Sequence, residues 1–196
     1  MISNNKKNNG AGKIRIIGGR WRGSILLVPK IPGLRPTPNR VRETLFNWLA
    51  PVIRGAHCLD CFSGSGALGL EALSRYAASI TLIEQDKLIS KQLFKNLQVL
   101  QTKQAHVITT DTHFWLAHSS YAKFDIVFID PPFHQGMISK TVYFLEYYQH
   151  LAQKSWIYIE TEKESPYPAV PRNWNIYKEK VAGKVAYRLY LRNSPT

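Results

Sequence analysis

The chain has 196 residues, 44% hydrophobic and 20% charged, which fits one globular domain with a sizeable core and excludes a disordered polymer. No apolar run reaches membrane-spanning length, and the polar start Met1-Ile2-Ser3-Asn4-Asn5-Lys6-Lys7 has no apolar segment to act as a signal peptide, so a cytoplasmic protein is expected. The net charge is +13, and residues 1–54 carry +10 of it, with eleven Lys or Arg against the single acid Glu43.

One sign of charge gathered in the first quarter of the chain suits a polyanion better than general solubility. These charges do not form the polar face of one long amphipathic helix, which argues against a membrane surface. Residues 1–12, rich in Asn, Lys and Gly, read as a disordered tail. Residues 14–18 and 24–28 are β-branched runs around Gly19-Arg20-Trp21-Arg22-Gly23 and predict a hairpin. Trp21 suits either stacking on an RNA base at the hairpin tip or packing into the core. Pro29, Pro32, Pro36 and Pro38 keep residues 29–38 extended, and Thr37-Pro38-Asn39 offers cap chemistry for a helix over 39–50. Residues 13–54 thus read as a basic RNA-binding extension, with Arg15, Arg20, Trp21, Arg22, Arg35, Thr37, Arg40 and Arg42 as candidate contacts.

From residue 55 to 196 the pattern changes to alternating strands and helices. Strands are expected at 57–61, 80–84, 105–109, 124–129 and 155–160, and helices at 66–76, 87–101, 112–119 and 137–151. This alternation predicts an α/β domain, a mostly parallel sheet with helices on both faces. Two extended runs, 174–181 and 184–192, joined by Ala182-Gly183, predict a closing antiparallel hairpin.

Two motifs carry chemistry. Gly64, Gly66 and Gly69 fit G-x-G-x-x-G between a strand and a helical pattern, where glycine allows a ligand close to the backbone. Glu84 follows Gly64 by twenty residues at the end of the next apolar run, a position suited to ribose hydroxyls. Asp60, four residues before Gly64, would repel a pyrophosphate but attract an amine or sulfonium, which favours S-adenosylmethionine over NAD. The second motif is Asp130-Pro131-Pro132-Phe133, directly after the apolar run 124–129. Two prolines end the strand and free nearby carbonyls, so a carboxylate, a carbonyl and an aromatic ring meet at a strand's C-terminal end. An exocyclic amine on a flat ring fits there; a plain turn is the alternative.

Cys58 and Cys61 form C-x-x-C, but the chain has no second cysteine pair, and strand alternation separates them. They read as core residues. His113 and His118 have poor spacing for one helical face, and His134 reads equally as a contact or an exposed loop residue. No metal is expected.

The order Asp60-x-Phe62-x-Gly64-Ser65-Gly66, Glu84, Asp111 and Asp130-Pro131-Pro132-Phe133 resembles class I S-adenosylmethionine-dependent amino-methyltransferases. The runs Ile14–Gly23, Leu34–Thr37, Arg42–Phe46 and Leu59–Ala72 resemble the RsmD family more narrowly, and the likeness extends from Lys13 to Arg192. The resemblance implies a Rossmann-like fold and methyl transfer to N2 of one guanine in small-subunit (16S) ribosomal RNA. It implies S-adenosylmethionine held by Asp60, Phe62, Gly64, Ser65, Gly66, Gly69, Glu84, Asp111, Thr112 and Asp130, with Asp130, Pro131, Pro132 and Phe133 catalytic. A monomer acting on free RNA or on an assembling small subunit is expected. A DNA adenine methyltransferase and a non-catalytic RNA-binding assembly factor remain as alternatives.

Overall fold

A computed structural model describes residues 12–34, 36–119, 123–132 and 136–193. Arg35, Phe133, His134 and the proposed tail through residue 11 lie outside the described residues. Strands β1 (Gly12–Arg15) and β2 (Ile25–Val28) pair antiparallel, and helix α1 (Asn39–Leu49) follows the proline-rich segment. The remaining elements are β3 (His57–Asp60), α2 (Ala67–Ser74), β4 (Ser79–Glu84), α3 (Lys87–Val99), β5 (Ala105–Thr109), α4 (Thr112–His118), β6 (Phe124–Ile129), α5 (Met137–Tyr147), β7 (Leu151–Glu162), β8 (Trp174–Ala182) and β9 (Val185–Arg192).

Seven strands form one sheet in the order β5-β4-β3-β6-β7-β9-β8. The first five run parallel, and β7, β9 and β8 pair antiparallel, as the alternation and the final hairpin predicted. The order reverses between β3 and β6, and ligands of open α/β sheets bind beyond the strand ends at such a point.

Alternation along each strand divides the core in two. Cys58, Ile126, Phe128, Tyr158 and Leu189 face α1, α2 and α3, while Leu59, Cys61, Val127, Ile129 and Ile159 face α4 and α5. The two cysteines are free and fully buried on opposite faces. The N-terminal extension belongs to the first core: Ile14, Ile16, Leu26, Phe46 and Leu49 are buried within it, and the Phe46 and Phe128 rings lie 6.1 Å apart.

Most boundaries lie within two residues of expectation, and two regions differ by more. The strands of the first hairpin end at the Arg15–Ile25 pair. Ile16 still bonds to Ser24 and Gly23, and beyond it the N–H groups of Ile17 and Gly18 donate to Glu71 at 2.8 and 2.9 Å instead of to the hairpin. The hairpin still approaches α2 closely: a Cβ on Gly19 (φ +76°) would lie 1.7 Å from the Ser74 carbonyl oxygen. The helix expected to reach residue 151 ends at Tyr147. Gln149 takes φ +57°, and buried His150 shares a 2.7 Å hydrogen bond with the Leu116 carbonyl, so β7 begins at Leu151.

Candidate active site

Asp60 closes β3 and is buried, with its Oδ1 lacking a hydrogen-bond partner. Burial raises its pKa to about 7, against the lowering effect of the Phe62 and Gly69 N–H groups; the Glu84 charge raises it further. A buried carboxylate oxygen with no donor is costly and is what a ligand amine would satisfy. After it the chain turns through Gly64 (φ +48°) and Gly66 (φ +77°) into α2. The loop is tied down on both sides: Ser63 N–H donates to the Ile83 carbonyl, and Gly64 N–H donates to Glu84 Oε2 at 2.9 Å. Glu84 Oε1 takes the Asp86 N–H at 2.8 Å, and burial raises the Glu84 pKa.

The other predicted cofactor residues arrive from neighbouring elements. Asp111 caps α4 by accepting the Phe114 N–H at 2.8 Å. Thr112 is buried, and its hydroxyl donates to the Cys61 carbonyl. Phe62 is half-buried and meets His113 edge-on, with ring centroids 6.4 Å apart. Buried Ser65 lies in the turn itself. Gly69 packs α2 closely on the sheet: a Cβ there would lie 2.4 Å from the Leu82 side chain, which would have to shift, and 3.3 Å from Asp60 Oδ2. The chemistry of these residues fits S-adenosylmethionine: an unpaired carboxylate oxygen on Asp60 that an amine would satisfy, a second acid, Glu84, at the end of the neighbouring strand, and a glycine turn bonded to it.

Asp130 follows β6, next to β3 in the sheet, with Pro131 buried and Pro132 exposed. Asp130 is half-buried, and its carboxyl accepts a 3.4 Å hydrogen bond from Thr37, which lies just ahead of α1. Burial, then the nearby Glu160 and Asp60 charges, push the Asp130 pKa well up, against the Thr37 hydrogen bond. Thr37 thus lies at the acid cluster and not on the outer surface. Leu34 comes near the glycine turn: its Cδ1 is 3.1 Å from where a Gly64 Cβ would be. The proline-rich segment therefore reaches the site from one side.

The candidate RNA residues do not form one set. Arg15, Arg20, Arg22 and Arg40 are exposed. Arg42 is only 1% exposed; it pairs with Glu71 at 3.6 Å and donates to the Arg15 carbonyl and Asn39, so it is a buried structural residue and not a phosphate contact. Trp21 is half-buried against the core, with the Arg20 guanidinium 3.9 Å from its ring centroid. The ring therefore packs against the core with part of its surface left to solvent. Sequence reasoning missed Glu160 and Tyr158, although a glutamate ending an otherwise apolar strand was a usable signal. It also missed Glu71, whose partners lie more than fifty residues away.

A family model described as "Conserved hypothetical protein 95" matches residues 14–191. The chain is 57% identical over 187 residues to ribosomal RNA small subunit methyltransferase D of Escherichia coli (strain K12), covering 95% of this chain and 94% of that protein. It is 48% identical over 185 residues to the protein of the same name from Haemophilus influenzae, covering 93% and 95%. A solved structure of a putative methyltransferase from Escherichia coli superposes with a TM-score of 0.87 at 53% identity, covering 94% of this chain and all of that one.

Proposed function

Because this chain belongs to the family described as Conserved hypothetical protein 95, that of the RsmD methyltransferases, we propose that it methylates the exocyclic N2 of a guanine in small-subunit (16S) ribosomal RNA. The observation that carries this reading is the position of Asp130. It stands at the end of a central strand beside Asp60, with the Thr37 end of the basic extension against it. A carboxylate, the Pro131 carbonyl and Phe133 suit an amine on a flat ring, and the exposed Arg15, Arg20, Arg22 and Arg40 suit the phosphates around it.

S-adenosylmethionine, when bound, supplies the methyl group from its sulfonium, and the sulfur keeps the bonding electron pair. Asp60, Gly64, Ser65 and Gly66 are assigned to its amino-acid end, Glu84 to its ribose and Asp111 to its adenine. The target base must leave its stack to enter the site. Asp130 and the Pro131 carbonyl accept the two N–H bonds of N2, which directs the nitrogen lone pair at the incoming carbon. Asp130 then stabilises the cationic amine and takes its proton. The substrate is assigned as RNA of an assembled or assembling small subunit, met in the cytoplasm by one copy of the chain.

The test is incubation with methyl-labelled cofactor and either unmodified small subunits, free RNA or DNA, followed by nucleoside mass spectrometry. N2-methylguanine from the small subunit is expected. Methyladenine in DNA as the only product would overturn the substrate, and no product at all would favour a non-catalytic RNA-binding factor.

A further inference from the structure

Two carboxyl groups stand side by side, Asp130 directly after the end of β6 and Glu160 near the end of β7. The strands are parallel with Phe128 opposite Tyr158 and Ile129 opposite Ile159, so Asp130 and Glu160 are the next residues in register. Alternation puts both on the face of Phe128 and Tyr158, whose rings lie 6.4 Å apart. Neighbouring strands are about 5 Å apart, which brings the two acids within range of strong coupling. Glu160 is only 5% exposed and accepts a 2.7 Å hydrogen bond from the Tyr158 hydroxyl.

No described Lys or Arg forms an ion pair with Glu160. The nearest strand cation by register, Arg188, lies opposite Ile159 and spends its guanidinium on Glu179 and Thr161. A buried glutamate without a cation is expensive. A glutamine would serve Tyr158 equally well without charge, so the hydrogen bond alone does not account for an acid. The charge acts on Asp130.

We propose that Glu160 is a positioning residue for methyl transfer, holding the neighbouring Asp130 as a stronger base for the proton that N2 must lose. The inference rests on the methyltransferase reading above. N2 gains a methyl group and gives up one proton; the proton passes to the Asp130 carboxylate, which becomes the acid and releases it to water once the product has left. Two adjacent carboxyls, one buried and one half-buried, do not both ionise cheaply, so they titrate as a pair. Burial, Glu160 and Asp60 raise Asp130, while the Tyr158 hydroxyl opposes the rise that burial gives Glu160. When the pair holds a single proton, the 2.7 Å Tyr158 bond to Glu160, against the 3.4 Å Thr37 bond to Asp130, favours that proton on Asp130 and the charge on Glu160. Methyl transfer then needs Asp130 to lose it first, so turnover rises with pH through the Asp130 midpoint. The other titratable groups facing the pair are Asp60 from β3, Tyr158 on β7 itself and Tyr187 from β9. The N-terminal segment contributes the Thr37 hydroxyl, and its Arg42 turns away to Glu71.

The test compares native protein, Glu160→Gln and Tyr158→Phe. Turnover at saturating cofactor and small subunit is followed against pH, and the Asp130 carboxyl is titrated by carbon-13 NMR in aspartate-labelled protein without substrate. In Glu160→Gln the acid midpoint of turnover and the NMR midpoint both fall by about one pH unit or more, a tenfold change in ionised fraction. The alkaline plateau falls as well, because Asp130 is then a weaker base. Tyr158→Phe moves both midpoints the same way by less, since Glu160 keeps its own proton more readily. A midpoint that stays at the native pH in either folded variant overturns the proposal, because a packing role lowers the plateau without moving it. Native protein that transfers no methyl group would instead overturn the reading beneath it, whatever the NMR midpoints do.

Discussion

Arg42 Nη1 lies 3.6 Å from Glu71 Oε2, and both side chains are buried. Glu71 also accepts the Ile17 and Gly18 N–H groups and the Arg75 Nε–H, so one carboxylate on α2 ties down the N-terminal hairpin and, through Arg42, α1. The most basic part of the chain is therefore fastened to the sheet domain by an acid in its core. Arg42→Ala removes one partner of a buried ion pair and should cost about 3–5 kcal/mol of stability. Thermal unfolding checks this, and a variant that melts like the native protein would contradict the assignment.

Arg22 and Arg40 should behave in the opposite way. Both are exposed. Replacing them together by Ala should leave the melting temperature unchanged and weaken RNA binding. The slope of log affinity against log salt should shrink by about one for each phosphate that is no longer neutralised. Filter binding over a salt series reads this directly; an unchanged slope would remove these arginines from the RNA surface.

Asp60 links cofactor binding to protons. Its folded pKa of about 7 lies above the usual value of 3.8. A raised carboxyl adds stability that is complete below the ordinary carboxylate range and is lost as pH rises through 7. Asp60→Asn should therefore melt higher than the native protein above pH 7, by about 4 kcal/mol at most. A ligand amine favours the ionised carboxylate, so S-adenosylmethionine binding near pH 7 should release protons. Calorimetry in buffers of different ionisation enthalpy should show this for the native protein and not for Asp60→Asn, which should also bind more weakly.

Asp130→Ala should nearly abolish methyl transfer and keep cofactor affinity. Losing one positioned polar group at a reacting centre costs about 3–4 kcal/mol, by analogy with an oxyanion-hole donor. Its stability at neutral pH should not fall, since the residue removed is an acid whose ionisation the fold disfavours. Near-native turnover would place the reacting centre elsewhere.

The periods of the sequence were enough to determine most strands and a parallel sheet closed by an antiparallel hairpin, while the strand order came from the structure. Runs such as Phe124–Ile129 and Ile80–Glu84 read as strands because they are buried on both faces, and the glycine turn and the Asp130 motif read from local backbone chemistry. Cys58 and Cys61 were assigned to the core by the same alternation that places them on opposite faces. What sequence could not decide was which charges meet. Arg42 and Arg40 stand two residues apart in one basic run, yet a helix turns one into the core and the other to solvent. Trp21 was open between surface and core until α2 packed against its hairpin. Glu160 looked like an ordinary strand end, and only the parallel register of β6 and β7 sets it beside Asp130. Local pattern determines an element because the forces that form it act between near neighbours. Pairing of buried charges is decided by register and packing between segments distant in sequence.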